Sequence, residues 1–199
     1  MSWTDTPTLT GRHVTLRPLQ IEDAPALGAA AADGGLTELF FANVMTFNDP
    51  PTAVAAMLKE RDHGRAMPFT VETPAGAVVG CTRFMRMSQQ HRRVEIGGTF
   101  YAGSVQRTGL NTEAKLLLLT HAFEVLGCNV VQIRTDWFNK RSQRAIERLG
   151  AKRDGVLRNH QLMPDGRLRD LVVYSIIASE WSGVRQNLQF LLARAEGER

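Results

Sequence analysis

The sequence predicts one α/β (α+β) domain, a mixed and mainly antiparallel sheet flanked by helices. Three observations predict it. Segments of period 2 and period 3.6 follow one another in the order β-α-α-β-β-β-α-β-α-β-β, with an amphipathic helix at the end. That order suits a mainly antiparallel sheet with one β-α-β crossover. The 199 residues, 43% hydrophobic and 22% charged, suit one core, and no internal repeat or linker rich in Pro, Gly and Ser divides them. The domain spans 1–199, with its core over about 9–181 and a C-terminal helix over about 181–194.

Leu9 to Leu19 reads as one strand, with Val14 and Leu16 facing one way, Thr15 and Arg17 the other, and Pro18 ending the pairing. Ile21 to Ala32 is an alanine-rich helix with Asp23 as its cap and Gly34-Gly35 as its stop. Thr52 to Asp62 is a second helix, entered through Pro50-Pro51. Phe69 to Glu72 and Val78 to Met87 are strands around Thr73-Pro74-Ala75-Gly76, where proline presets φ and glycine permits a positive one. Arg93 to Tyr101 is the next strand, and Gly97-Gly98 inside it predicts a bulge or close approach by another group. Thr112 to Leu126 is the strongest helix, with Leu116, Leu119, Phe123 and Leu126 on one face and Gly127 closing it. Val130 to Thr135 is a β-branched strand, and Arg141 to Leu149 is a helix stopped by Gly150. Arg153 to Leu162 and Arg169 to Ile177 form a hairpin around Pro164-Asp165-Gly166. Trp181, Val184, Leu188 and Leu191 mark the apolar face of the last helix, which docks on its own domain or on a second copy in a dimer.

The net charge of +4 is unevenly spread. Residues 1–80 hold nine acids and five bases, whereas residues 81–170 hold sixteen bases and eight acids. The basic half suits an anion and the acidic half a cation. No apolar run reaches the ~18 residues of a membrane helix, and the N-terminus lacks a signal-peptide pattern. Two cysteines, Cys81 and Cys128, form neither a disulfide framework nor a metal-ligand set, so no metal and a reducing, cytoplasmic setting are expected.

The chemistry concentrates in one stretch: the strand Val94 to Tyr101, the loop Ala102 to Asn111, and the helix from Thr112. Unpaired N–H groups at a helix start, with the macrodipole positive there, make an anion site, and Arg107 adds a charge that pairs with phosphate. Gly109 is followed by Leu110 and Asn111 rather than by the Lys-Ser/Thr of a nucleoside-triphosphatase loop. The three-glycine dinucleotide fingerprint is also missing, so nucleotide hydrolysis and hydride transfer are disfavoured.

These residues resemble a family. Val94-Glu95-Ile96-Gly97 followed by Gln106-Arg107-Thr108-Gly109-Leu110-Asn111-Thr112 is similar to the acetyl-CoA motif of the Gcn5-related N-acetyltransferases (GNAT). Asn139 to Ser142 with Ala145 to Ala151 resembles the family's next motif. Leu9 to Leu19, Asp154 to Arg158 and Pro164 to Tyr174 resemble its ribosomal-protein N-terminal acetyltransferase (Rim-type) branch. The resemblance runs in order from about Leu9 to Trp181 and departs at two points. Asn111 stands where the phosphate loop usually has a small residue, and Ile146 stands where many relatives carry a proton-donating tyrosine.

The resemblance implies a GNAT fold whose central strands splay, with acetyl-CoA as the cofactor. Its pantetheine arm would pair with the backbone of Thr99, Phe100 and Tyr101. The pyrophosphate would lie on Gln106, Arg107, Thr108, Gly109, Leu110, Asn111 and Thr112, with Asn139, Ser142 and Arg144 as further cofactor contacts. An amine near pH 7 carries a proton that must leave before it attacks a thioester, and Glu95 is the candidate base. A bulged N–H of the same strand suits the oxyanion. Ser142 would serve the departing thiolate; His160 is an alternative base beside Gln161, where some Rim-type enzymes place a carboxylate.

The resemblance also puts the acceptor wall in the loop between the first two helices. Phe41 and Phe47 are the substrate-binding candidates there, with Leu39, Phe40, Val44, Met45 and Thr46 beside them. Asp33, Glu38 and Asp49 would attract a cationic amine by their field. The acceptor is then a protein or peptide N-terminus, a ribosomal protein among them, or a small amine. The alternatives are a catalytically inactive CoA-binding or scaffold protein, and an RNA- or ribosome-binding module built on Arg83, Arg86, His91, Arg92 and Arg93. Stable nucleic-acid binding is not expected, because no aromatics interleave with those bases for stacking.

Overall fold

A computed structural model of the chain describes residues 3–33, 35–41, 47–163 and 165–197. Its strands are β1 (Leu9–Thr10), β2 (Thr15–Pro18), β3 (Ala66–Glu72), β4 (Val78–Ser88), β5 (Arg93–Tyr101), β6 (Val130–Asp136), β7 (Lys152–Leu162) and β8 (Leu168–Ile177). Its longer helices are α1 (Ala24–Ala32), α2 (Pro50–Asp62), α3 (Leu110–Thr120), α4 (Lys140–Arg148) and α5 (Trp181–Gly197). The strands form one sheet in the order β1-β2-β3-β4-β5-β6-β8-β7, antiparallel throughout except at β5–β6. That one parallel pair is the expected crossover.

The strand expected over Leu9 to Leu19 is two strands joined by a tight turn. The Gly11 N–H donates to the Val14 carbonyl at 2.9 Å, and the next two N–H groups, of Arg12 and His13, donate to the Glu113 carboxylate on α3. A Cβ at Gly11 would sit 2.5 Å from that carboxylate, so a side chain there would push Glu113 off these N–H groups. Asp23, expected as a helix cap, has a larger task. Its buried carboxylate accepts two bonds from Arg17 and one from the Thr70 hydroxyl, as well as the Gln20 N–H, and so pins α1 to β2 and β3.

The apolar face expected for the long helix is one of two. Ala114, Leu118, Leu119 and Ala122 are fully buried against the sheet, whereas Leu116 and Phe123 are half-buried on another side. Phe123 stacks on Trp181 of α5 with ring centroids 5.3 Å apart. The helix needs two apolar sides because it lies between the sheet and α5. It also does not run evenly to Leu126: α3 gives way at His121 to a wide turn, His121–Val125. On α5, Trp181, Val184 and Leu188 are buried within this chain, so the face that offered itself for a dimer docks on its own domain.

The centre of the sheet is wedged open. β5 pairs with β6 only from Arg93 to Ile96, against Val130 to Ile133. β6 then stays with β8 as far as Asp136, while β5 follows β4 to Tyr101. The bulge expected at Gly97-Gly98 lies at the point of divergence. Arg83 faces Gly97 and Cys81 faces Phe100, so Gly98 and Thr99 together oppose Thr82, with Gly98 at φ +57°. From Gly97 onward, one edge of β5 therefore has no strand partner.

Candidate functional site

The wedge opens into a cleft of about 1140 Å³ floored by Ile96 to Tyr101 on one side and Ile133 to Thr135 on the other. At one end stand the loop before α3, the first turns of α3 and α4, and Leu191 and Arg194 of α5. At the other end stand Phe41, Phe47, Arg83 and the α2 residues Ala53, Ala56 and Met57.

Local hydrogen bonds shape the first end. The Gln106 amide donates to the Tyr101 carbonyl at 2.8 Å, and Arg141 donates to the Gln106 amide oxygen. The Thr108 hydroxyl donates to the Val105 carbonyl at 2.8 Å and accepts the Leu110 N–H at 3.2 Å, which turns the chain into α3. Arg107 takes a left-handed φ of +64° in this turn, an unusual conformation for a residue with a side chain. Asn139 accepts the Ser142 N–H at 2.9 Å and so caps α4. The start of α4 thus meets the loop before α3 where Arg141 reaches Gln106, and Arg148, the last residue of α4, donates to the Thr112 hydroxyl at 3.1 Å. Arg107, Arg141, Arg148 and Arg194 all stand on the wall. Such a cradle of positive ends and guanidinium groups suits a polyanion.

Most residues singled out from the sequence share this cleft. Thr99, Phe100, Tyr101, Gln106, Arg107, Thr108, Gly109, Asn111, Thr112, Asn139 and Ser142 line it, as do Phe41 and Phe47. Leu110 is buried behind the wall, and Arg144 is exposed and off it, one helical turn from where Arg141 and Arg148 point inward. Phe47 packs edge-on against Phe100, centroids 4.7 Å apart. Val44, Met45 and Thr46 lie outside the described residues. Ile146 is buried on the wall, an apolar group where a tyrosine had been the family pattern.

Glu95 is 5% exposed and doubly ion-paired: both its oxygens accept from Arg86 Nη1, at 2.9 and 3.0 Å, and Oε2 lies 3.0 Å from Arg134 Nε. It sits just behind the wall. A Cβ on Gly97 would lie 3.5 Å from Glu95 Oε1, so glycine leaves the carboxylate next to the cleft. His160 is exposed, and the Gln161 amide oxygen accepts from Arg169 at 3.2 Å; neither lines the cleft.

Two of the acids expected at the acceptor end hold local structure without lining the cleft. Asp33 accepts the Ser104 N–H at 3.0 Å, and Asp49 caps α2 through the Thr52 N–H at 3.3 Å. No aspartate or glutamate stands among the described wall residues.

Lys115 and Arg83 are among the wall residues that sequence reasoning did not assign to this site. Lys115 is buried, its Nζ donating to the Thr99 hydroxyl at 3.0 Å, and Thr99 in turn bonds the Thr82 hydroxyl at 2.7 Å. Burial pushes the Lys115 ammonium down to about 7, and burial also pushes the neighbouring Cys81 thiol up to about 12. The signal was available: Ala114, Lys115, Leu118, Leu119 and Ala122 form an apolar stripe with one lysine in it. Arg83 is the other, half-buried opposite the bulge.

Residues 13–152 match the acetyltransferase (GNAT) domain family. The chain belongs to the GNAT family. Among GNAT relatives, it is 27% identical to the uncharacterized N-acetyltransferase p20 of Bacillus licheniformis, over 88% of this chain and 99% of that one. A crystal structure of a GCN5-related N-acetyltransferase from Brucella melitensis superposes with a TM-score of 0.80 at 29% identity, covering 94% of this chain and 86% of the other. Mycobacterium smegmatis RimJ, solved in complex with CoA-disulfide, shares the fold with a TM-score of 0.78 at 22% identity, covering 94% and 96%. The splayed β5–β6 pair and the basic cradle are the GNAT features on which the rest depends.

Proposed function

We propose that this GNAT domain transfers an acetyl group from acetyl-CoA to an amine, by direct attack within the cleft. The observation that carries this reading is the unpaired edge of β5 from Gly97 to Tyr101, which leads from the basic cradle to the apolar end of the cleft. Acetyl-CoA supplies the activated thioester. The free N–H and C=O groups around Thr99 to Tyr101 are spaced to pair with an amide-bearing arm, as a neighbouring strand would. Arg107, Arg141 and the N-termini of α3 and α4 hold phosphate, while Arg148 and Arg194 extend the same positive wall.

At the reacting centre, the bulged N–H groups of Gly97 and Gly98 face charge that builds on a carbonyl oxygen. Glu95 takes the proton from the amine past the bare Cα of Gly97, and Arg86 and Arg134 orient its carboxylate. The amine nitrogen bonds to the acetyl carbon, the carbon–sulfur bond breaks, and the proton shed by the new amide nitrogen passes to the departing sulfur, to which Ser142 provides a hydrogen bond. Phe41, Phe47, Phe100 and Met57 keep water from that end. The deciding experiment measures thiol release from acetyl-CoA with a panel of peptide N-termini, ribosomal-protein N-termini among them, and small amines. Turnover with one class is expected. Tight acetyl-CoA binding with no turnover on any amine would favour an inactive CoA-binding protein, the reading that Ile146 keeps open.

A further inference from the structure

The cationic groups at the acceptor end of the cleft are not equivalent. Arg134 is ion-paired with Glu95 at 3.0 Å and Arg169 with Asp136 at 2.9 Å. Arg83 has neither arrangement: its Nε is buried and makes no hydrogen bond, and no ion pair is found for it among the described residues. A buried guanidinium nitrogen without a partner is costly, because its desolvation is not repaid. Glu60, the acid whose charge interacts with it, is hydrogen-bonded through both oxygens to Arg65.

Strand alternation places Arg83 on the acceptor face. Phe84, its neighbour in β4, packs against Phe69 and stacks on His121 beside α3, so Arg83 projects to the opposite side, where α2 lies. Its guanidinium lies against the bulge: a Cβ on Gly98 would be 2.7 Å from Nε and 3.2 Å from Cζ. Gly98 therefore serves Arg83 as well as the strand. The cradle for phosphate is at the far end of β5, beyond Tyr101, and has its own four arginines. The sequence of residues 42–46, between Phe41 and Phe47, contains no acidic residue to claim this charge.

We infer that Arg83 reads a carboxylate on the acceptor, so that the substrate is an amine carrying a carboxylate a few bonds from the reacting nitrogen. This rests on the transfer reading above, which puts the thioester at the Gly97-Gly98 bulge. An amine poised there and a carboxylate on the Arg83 fork belong to one small unit, and the surrounding phenylalanines suit an apolar remainder. Two sources present that unit: a free amino acid, and a peptide whose first residue is aspartate or glutamate.

The test compares matched acceptors by kcat/KM in the thiol-release assay. One arm sets phenylalanine against phenethylamine; the other sets Asp-Ala-Ala-amide against Asn-Ala-Ala-amide. The acceptor with the carboxylate should be preferred at least about tenfold in one arm, which names the source. In Arg83→Gln that ratio should fall to near one, with the acetyl-CoA Kd unchanged. Binding of the same amines to the protein–CoA complex, followed by calorimetry, reads the preference without turnover. Carboxylate-dependent binding without any turnover would sink the transfer reading and keep the role of Arg83. Equal ratios in wild-type protein by both readouts would overturn the inference, whether or not Arg83→Gln folds. A weakened acetyl-CoA Kd in Arg83→Gln with unchanged ratios would assign the arginine to the thioester and overturn it too.

Discussion

Replacing Lys115 by methionine tests how far the cleft floor is removed from water. Methionine keeps the length of the side chain and its packing beneath Thr99, but it carries no proton. In the unfolded chain the lysine titrates near its ordinary value of 10.5, and in the folded chain near 7, so the unfolded state binds more protons between those values. Stability must therefore rise with pH across that window. Each factor of ten in proton affinity is worth about 1.4 kcal/mol, which puts the full cost of burying the charged form at about 5 kcal/mol. Between about pH 7 and about pH 9 the wild-type protein should recover roughly 2 kcal/mol of it. Urea denaturation followed by circular dichroism, at several pH values, measures this directly. The wild-type and Lys115→Met curves should converge as pH rises, the lost Thr99 hydrogen bond adding only an offset independent of pH. Other groups titrate alike in both proteins and cancel in the difference. Parallel curves would show that Lys115 is solvated, and the reasoning from burial would be wrong.

Glu95→Gln should lower kcat by about a hundredfold or more, the usual scale for a lost general base, while the acetyl-CoA Kd measured by calorimetry stays the same. Wild-type turnover in that variant would remove Glu95 from the chemistry. Gly109→Trp should abolish acetyl-CoA binding, because Gly109 lines the cradle and a Cβ there already touches His13 at 3.4 Å and Leu192 at 3.5 Å, so an indole must displace the wall or fill the cradle. Normal affinity in that variant would reject the cradle as the phosphate site. Ser142→Ala should slow turnover a few-fold, read in the thiol-release assay, with α4 still capped by Asn139 through the backbone of residue 142. No change would leave the serine a surface residue of the first helical turn.

The family motif was legible because the bonds that shape its turns are local. The loop from Gln106 to Thr112 makes its turn from bonds between residues two to five apart, and Asn139 caps a helix that begins at the next residue. The bulge at Gly97-Gly98 is written in two glycines that a paired strand would not choose. The first strand was misread for the opposite reason. Its break at Gly11 exists because Glu113, about a hundred residues away, claims the N–H groups of Arg12 and His13.

The sequence by itself determined the fold class, the single crossover, and the loop motif that marks the family. It even assigned the basic half of the chain to a polyanion. Which charges face the cleft was decided only by the tertiary structure. Arg141 and Arg148 line the cleft while Arg144, on the same face of α4 and likewise exposed, does not, so the side chains' reach in the folded protein rather than the helical pattern chose between them. The divergence of β5 from β6 made the cleft, and packing of α3 against the sheet buried Lys115 in it. Asp33 and Asp49, two of the acids that as a composition promised a cationic acceptor, bond backbone N–H groups off the cleft wall, while Arg83 faces the acceptor end of the cleft without an ion pair among the described residues. Charge counts are sums over a chain, but recognition depends on which charges a fold leaves unpaired at low dielectric, and only three-dimensional pairing decides that.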